Sequence, residues 1–197
     1  MKTSHPILIL LASIFIAINT TVAAQSAPTP PNANAGATSP APASAPRNKP
    51  CTAAAHRQFD FWIGDWDVTD PSGKPVGTNR IKPILGGCVL HESWTATGGT
   101  FTGQSYNTFD ASRDVWHQTW VDISGTLLLL EGRIDNGVMV LSDKNIVGKK
   151  EPNAWNEITW TPHADGSVTQ RWRTSADGGK TWKTSFDGKY VIPFFIH

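Results

Sequence analysis

The sequence predicts an all-β domain, namely a single antiparallel up-and-down β-barrel of about 8–10 strands with a short N-terminal helix. The first observation is a series of short runs rich in Val, Ile, Thr and Trp, which turn residues separate at nearly even spacing. The second is the alternation of apolar and polar residues within these runs, which is typical of strands with one buried face. The third is that only one stretch, before residue 64, has the pattern of a helix. Strand spacing alone leaves a β-sandwich open as the alternative.

The predicted elements follow in order along the chain. The helical stretch is Ala53–Ile63, and we expect only a short turn of helix there. Asn136-Gly137 joins two of the strands and is the strongest two-residue hairpin signal in the sequence. Closure of the strands into a barrel removes exposed edges, so we expect a monomer or a weak dimer. The predicted strands are 64–70, 76–85, 88–97, 100–109, 115–123, 126–134, 138–146, 155–162, 167–175 and 181–192.

Residues 1–24 have the pattern of a cleavable signal peptide. Lys2 precedes the apolar run Ile7–Ile18, and Val22-Ala23-Ala24 supplies the small residues that signal peptidase requires. The apolar run of about 12 residues is too short to cross roughly 30 Å of hydrocarbon. We therefore expect removal of this segment, rather than a retained membrane anchor, and a periplasmic or secreted location.

Residues 25–50 form a Pro/Ala-rich segment with no acidic or aromatic residue. Such a segment cannot bury enough apolar surface to offset its ordering entropy, so we predict a disordered linker. The folded domain is then 51–197. After signal cleavage the chain carries 16 basic and 16 acidic residues, because Lys2 is removed from the 17 basic ones. This balance argues against a nucleic-acid partner and favours a small hydrophobic molecule.

Cys51 and Cys88 are the only two cysteines of the chain. An oxidising compartment favours pairing them, and the closed loop would stabilise the fold by about 3–4 kcal/mol. The alternatives are a catalytic thiol and a metal pair, but no second ligand stands at suitable spacing.

The tryptophans share strand faces with carboxylates and amides. All nine lie within 51–197. Because a buried indole N–H needs a partner, we interpret this face as the barrel interior. Its polar groups then accept indole hydrogen bonds or contact a ligand. The candidate ligand-binding residues are Glu92, Trp94, Trp116, Gln118, Trp120, Asp122, Trp160, Gln170 and Trp172.

Whether the domain is an enzyme stays open at this point. Glu92 and Asp122 are the weak catalytic candidates, because an aromatic-lined interior raises the pKa of a carboxyl group. Such a group serves as a general acid or base in isomerase- or hydratase-type chemistry. The alternative is that each carboxylate accepts an indole or backbone hydrogen bond.

No metal and no cofactor are predicted. The sequence contains no phosphate-binding Gly-rich loop, zinc-protease helix motif or Ser-centred nucleophile elbow. His91 and His117 fall opposite the Trp face, where we expect them to pack on the outside. Haem is the alternative, with His197 as its best axial ligand.

Three motifs resemble a bacterial family of exported, lipocalin-like domains of unknown function: FDFWIGDW at 59–66, GGCVLHESW at 86–94 and WHQTWVD at 116–122. The resemblance implies a calycin-type barrel, like those of lipocalins and fatty-acid-binding proteins. Within it, Gly64 and Trp66 are similar to the lipocalin Gly-x-Trp, whose Trp fills the closed end of the barrel, often under an Arg. Arg171 or Arg173 would supply that Arg, although strand alternation also favours outer ion pairs for both. The family carries no agreed catalytic residues.

Ser175–Trp182 resembles the Asp-box of sialidases, Ser-x-Asp-x-Gly-x-Thr-Trp. The pattern occurs once, whereas a propeller needs repeats of its unit. We therefore predict a hairpin turn in which Ser and Asp bind the turn backbone.

Three hypotheses remain. The first is a barrel that binds a small apolar or aromatic ligand in a Trp-lined cavity. The second is a small barrel enzyme that uses Glu92 or Asp122. The third is an envelope structural or interaction domain with a filled core.

Overall fold

A computed structural model describes residues 50–193. The predicted signal peptide, the predicted linker up to residue 49 and the haem candidate His197 lie outside these residues. Ten antiparallel strands close into one barrel, in which each strand pairs with its sequence neighbours and β1 pairs with both β2 and β10. The strands are β1 (Gly64–Thr69), β2 (Pro75–Ile84), β3 (Val89–Ala96), β4 (Thr102–Asp110), β5 (Val115–Asp122), β6 (Leu127–Asp135), β7 (Val138–Ser142), β8 (Trp155–Pro162), β9 (Val168–Ser175) and β10 (Lys183–Val191).

The closed up-and-down barrel confirms the predicted fold class. The Asn136-Gly137 hairpin is confirmed, because φ is 47° at Asn136 and 83° at Gly137, as a tight turn with two left-handed residues requires. The clearest difference is β7, which ends at Ser142 rather than at residue 146. The Asp143 carboxylate still accepts hydrogen bonds from the backbone and side-chain N–H groups of Asn156 on β8 at 2.7 and 2.8 Å. The chain then leaves the sheet in a turn, in which the Ile146 backbone N–H donates to the Asp143 backbone oxygen at 3.0 Å.

The predicted helix consists of two 3-10 turns, Ala54–Arg57 and Asp60–Trp62. Between them Phe59 is fully buried and stacks on Trp62, with ring centroids 4.9 Å apart. Phe59 also makes edge-on contacts with Trp116 and Trp160, at 5.6 and 5.1 Å between centroids. These four aromatic rings fill one end of the barrel interior, which we call the closed end.

The disulfide between Cys51 and Cys88 is confirmed. Cys88 directly precedes β3, so the bond fastens the segment before the 3-10 turns to the sheet. The opposite, open end carries the connections β1–β2, β3–β4, β5–β6, β7–β8 and β9–β10. In residues 50–193, no helix is both long and apolar enough to cross a membrane.

Candidate ligand-binding cavity

The barrel encloses a cavity of about 600 Å³ between the aromatic cluster and the open end. Solvent-exposed Ser124 and Thr126 belong to its lining, so the cavity reaches the surface beside the β5–β6 turn. Apolar side chains form most of its wall: Val76, Trp94, Ala96, Phe101, Trp120, Leu128, Ile158, Trp172 and Phe186.

The inward face is the face that the Trp pattern predicts. Seven of the nine candidate ligand-binding residues line the cavity, and Trp116 and Trp160 do not. These two rings also point inward, but they lie deeper, against Phe59 at the closed end. The seven that line the cavity are Glu92, Trp94, Gln118, Trp120, Asp122, Gln170 and Trp172.

Two tryptophans of the wall lie flat against glycines of neighbouring strands. A Cβ on Gly77 would lie 2.6 Å from the ring of Trp94, and a Cβ on Gly103 would overlap the ring of Trp120. Because real Cβ atoms do not approach so closely, only glycine at these positions lets both rings lie back against the sheet. Gly77 and Gly103 therefore leave room for the two rings along the outer part of the cavity wall.

Glu92 lies at the inner end of the cavity and is 3 % exposed. One of its carboxyl oxygens accepts a hydrogen bond from the Asn79 amide at 2.7 Å, and the other accepts from the Ser105 hydroxyl at 2.6 Å. The network continues outward from Ser105. The Asn107 amide donates to Ser105 Oγ at 2.8 Å, and the Gln118 amide donates to Asn107 Oδ1 at 2.8 Å. Four adjacent strands, β2 to β5, thus converge on one buried carboxyl group.

Burial raises the pKa of Glu92 from 4.5 to about 7, and the hydrogen bonds from Ser105 and Asn79 only partly oppose this rise. Tyr190 lies beside this group on β10 and lines the same cavity. Burial, and secondly the negative charge of Glu92, raise the pKa of Tyr190 well above its ordinary value. The Tyr190 hydroxyl donates to the Gln170 side-chain oxygen.

Asp122 lies at the mouth of the cavity, and its pKa shifts in the opposite direction to that of Glu92. Its carboxylate accepts hydrogen bonds from the Ser124 backbone N–H at 2.9 Å, from the Ser124 hydroxyl and from the Trp120 indole at 3.1 Å. These hydrogen bonds, chiefly from the Ser124 side chain, lower the pKa of Asp122 to about 2. The expected rise in carboxyl pKa is therefore met at Glu92 and is wrong at Asp122, which caps the β5–β6 turn.

Most indole N–H groups find partners other than the polar neighbours that alternation provides. The Trp120 indole does donate to Asp122, two residues away. The Trp116 indole instead donates to Gln58 at 3.2 Å, and that of Trp172 donates to Asn156 on β8 at 2.9 Å. Trp116 and Trp172 thus take their partners from the 3-10 segment and from another strand, whereas the buried indole N–H groups of Trp62 and Trp160 have no partner among the described residues.

The remaining sites of interest lie outside the cavity. Arg171 pairs with Asp187 at 2.9 Å and Arg173 pairs with Glu157 on the outer face, as strand alternation favours, so neither takes the place beneath Trp66 that the resemblance implies. Instead, the indole of Trp66 donates to the backbone oxygen of Trp62 at 2.9 Å.

The two histidines that were expected on the outside do lie on the outer face. His91 contacts Gln104 at 3.2 Å, and His117 contacts Glu131 at 3.1 Å.

The Asp-box segment is a hairpin turn between β9 and β10, as predicted. Asp177 accepts hydrogen bonds from the backbone and hydroxyl of Thr181 at 2.9 and 2.6 Å, and Ser175 Oγ accepts from the Gly179 backbone at 2.8 Å. The Trp182 indole closes the turn by donating to the Gly179 oxygen at 3.0 Å.

Sequence patterns missed four residues of the inner network: Asn79, Ser105, Asn107 and Tyr190. Asn79 of β2, and Ser105 and Asn107 of β4, occupy inward-facing positions of the alternating pattern and are at most 2 % exposed. Strand alternation therefore does carry a signal for them.

No group of three or more His, Cys, Asp or Glu side chains within residues 50–193 is arranged to hold a metal ion. No protein-family model matches the chain, and no curated protein matches it.

Proposed function

We propose that this barrel binds a small apolar or aromatic molecule in its Trp-lined cavity. The observation that supports it is a cavity of about 600 Å³ with a mostly apolar wall and a few polar groups, among them Glu92 at its inner end. Ligand sites of proteins have about 300–1,000 Å³ and this same division between apolar wall and converging polar groups. A cavity of this size argues against a structural domain with a filled core.

The proposal includes export and family. The disulfide suits an oxidising compartment, and the closed barrel suits the resemblance to exported lipocalin-like domains. On this proposal, residues 1–24 are removed, 25–50 form a linker and 51–197 form the binding domain in the periplasm or outside the cell.

A barrel enzyme is the second candidate, and Glu92 favours it. A carboxyl group with a pKa of about 7 that faces a cavity suits a general acid or base. Both carboxyl oxygens already accept one hydrogen bond, from Asn79 and from Ser105, which leaves a further acceptor site on each for a proton or a ligand group. Asp122 offers no second acid–base group, because its pKa is lowered to about 2.

Native mass spectrometry of the protein isolated from its own cells tests the binding proposal. We expect a co-purifying small molecule in the wild type and its loss in Ala96→Trp, because Ala96 lines the cavity and a large ring there blocks the mouth. Thr95→Trp is the matched control, since the adjacent Thr95 is exposed on the outer face of the same strand. Equal retention by both variants, or no bound molecule in the wild type, would count against a cavity ligand.

A further inference from the structure

We infer that the ligand of this cavity is an organic cation: a small molecule whose apolar or aromatic body carries an ammonium group that pairs with Glu92. This inference rests on the proposed binding function and adds the charge of the ligand. The first observation is the charge of the wall. Of the seventeen residues that line the cavity, two are carboxylates, Glu92 and Asp122, and none is Lys, Arg or His.

The arginines of the neighbouring strands β2 and β9 are directed away from the cavity and are already paired. Arg80 on β2 pairs with Asp65. On β9, Arg171 and Arg173 pair with acids of the outer face. Among the ion pairs of residues 50–193, none includes Glu92. Glu92 is therefore a buried acid whose only partners are neutral hydrogen-bond donors, and a cation is the group that its ionised form lacks.

The aromatic wall favours the same charge. Trp94, Trp120 and Trp172 line the cavity, and Phe186 meets Trp94 edge-on with 5.7 Å between ring centroids. The face of an indole or phenyl ring is electron-rich and attracts ammonium groups, most strongly where water is excluded. Binding of a ligand with a carboxylate head group would be disfavoured, because Glu92 would repel it and no basic side chain lines the cavity to offset the repulsion.

Three probes with one naphthyl body and three head groups test this inference: 2-naphthylmethylamine, 2-naphthalenemethanol and 2-naphthoate. We expect calorimetric titration at pH 8 to give an affinity for the amine at least tenfold above that for the alcohol, and the weakest binding for the carboxylate. If the alcohol or the carboxylate binds as tightly as the amine, the cation inference is overturned while the binding function stands. If no probe binds, the cation inference is overturned, and the co-purification experiment alone decides the binding function.

Glu92→Gln locates the pairing partner. We expect this variant to bind the amine no more tightly than the alcohol. Glu157→Gln is the matched control, because it removes a carboxylate from the outer face, where Glu157 pairs with Arg173. Retention of amine selectivity in folded Glu92→Gln would overturn the assignment.

The pH profile of the wild type gives a second readout that does not depend on the folding of a variant. The side chains that face Glu92 are Asn79 of β2, Ser105 of β4 and Tyr190 of β10, of which only Tyr190 titrates. Asp122 at the mouth is ionised at all pH values well above 2. Amine affinity should therefore follow the ionisation of Glu92 and be at least tenfold weaker at pH 5 than at pH 8. A flat amine profile, equal to that of the alcohol, would contradict pairing with Glu92.

Discussion

Burial of Glu92 makes the stability of the barrel depend on pH. Its pKa is 4.5 in an ordinary, exposed setting and about 7 in the folded barrel, where burial is the main cause. Between pH 4.5 and about pH 7, Glu92 of the folded protein keeps a proton that the same side chain has released in the unfolded chain. A rise in pH therefore favours the unfolded chain across this window. This contribution to stability is fully present below pH 4.5 and is lost as the pH rises through 7.

The size of the effect follows from the shift. One pKa unit corresponds to about 1.4 kcal/mol, so the free energy of unfolding falls by about 3 kcal/mol between pH 4.5 and pH values above 7. Typical domains have about 5–15 kcal/mol in all, so the loss is large enough to measure.

Glu92→Gln removes the titration and preserves the contacts. The oxygen of the new amide accepts from the Ser105 hydroxyl, as the carboxylate does. Its NH₂ group donates to Asn79 Oδ1 once the Asn79 amide flips, and this buried oxygen has no donor among the described residues.

Urea unfolding of wild type and Glu92→Gln at pH 4.5, 6 and 8 measures the difference. We expect the variant to gain about 3 kcal/mol relative to the wild type from pH 4.5 to pH 8, because other titrating groups are common to both proteins and cancel. Asp122→Asn is the control: the pKa of Asp122 is about 2, so this residue stays ionised over the whole window and its substitution adds no slope. A wild type and a Glu92→Gln variant with parallel pH profiles would refute a buried, proton-retaining Glu92.

Three further substitutions test packing. Gly103→Ala should destabilise the barrel by about 1–3 kcal/mol in urea unfolding, because its Cβ overlaps the Trp120 ring. The displaced ring should also weaken probe binding, and unchanged stability and binding would contradict the close packing of Trp120 on Gly103. Phe59→Ala should cost about 3–5 kcal/mol in thermal unfolding, whereas a mobile cluster would give under 1 kcal/mol. Asp143→Ala should cost about 3–5 kcal/mol in urea unfolding, because Lys149 loses its largely buried partner at 3.1 Å, and a neutral result would indicate a solvated pair.

Strand number and the inward face could be predicted from the sequence because each rests on local chemistry, whereas the choice of a closed barrel over a sandwich rested on the family resemblance. Turn residues such as Asn136-Gly137 fix where a strand ends, and alternation fixes which side chains share a face. The predicted end of β7 at residue 146 is wrong, although the polar run Ser142–Asn145 does carry a local turn signal between the apolar residues 138–141 and Ile146.

Depth along the barrel axis is the information that alternation lacks. Trp116 and Trp120 share one face of β5, yet one packs on Phe59 and the other lines the cavity, because the 3-10 segment fills only one end. The inner network escaped prediction for a related reason. Asn79 and Ser105 are residue types usual at surfaces, and they become partners of Glu92 only through the register of β2, β3 and β4.

The loss of stability above pH 7 and the proposed cation site involve the same free energy. An ionised Glu92 without a counter-charge destabilises the barrel. An ammonium group beside Glu92 lowers the pKa of its carboxyl group and restores the lost stability. The amine probe should therefore raise the unfolding temperature more at pH 8 than at pH 5, whereas the alcohol should raise it equally at both. The destabilisation by ionised Glu92 is present only when no cation is bound, so binding a cation also stabilises the fold. This linkage is a physical reason for a carboxyl group at the inner end of an apolar cavity.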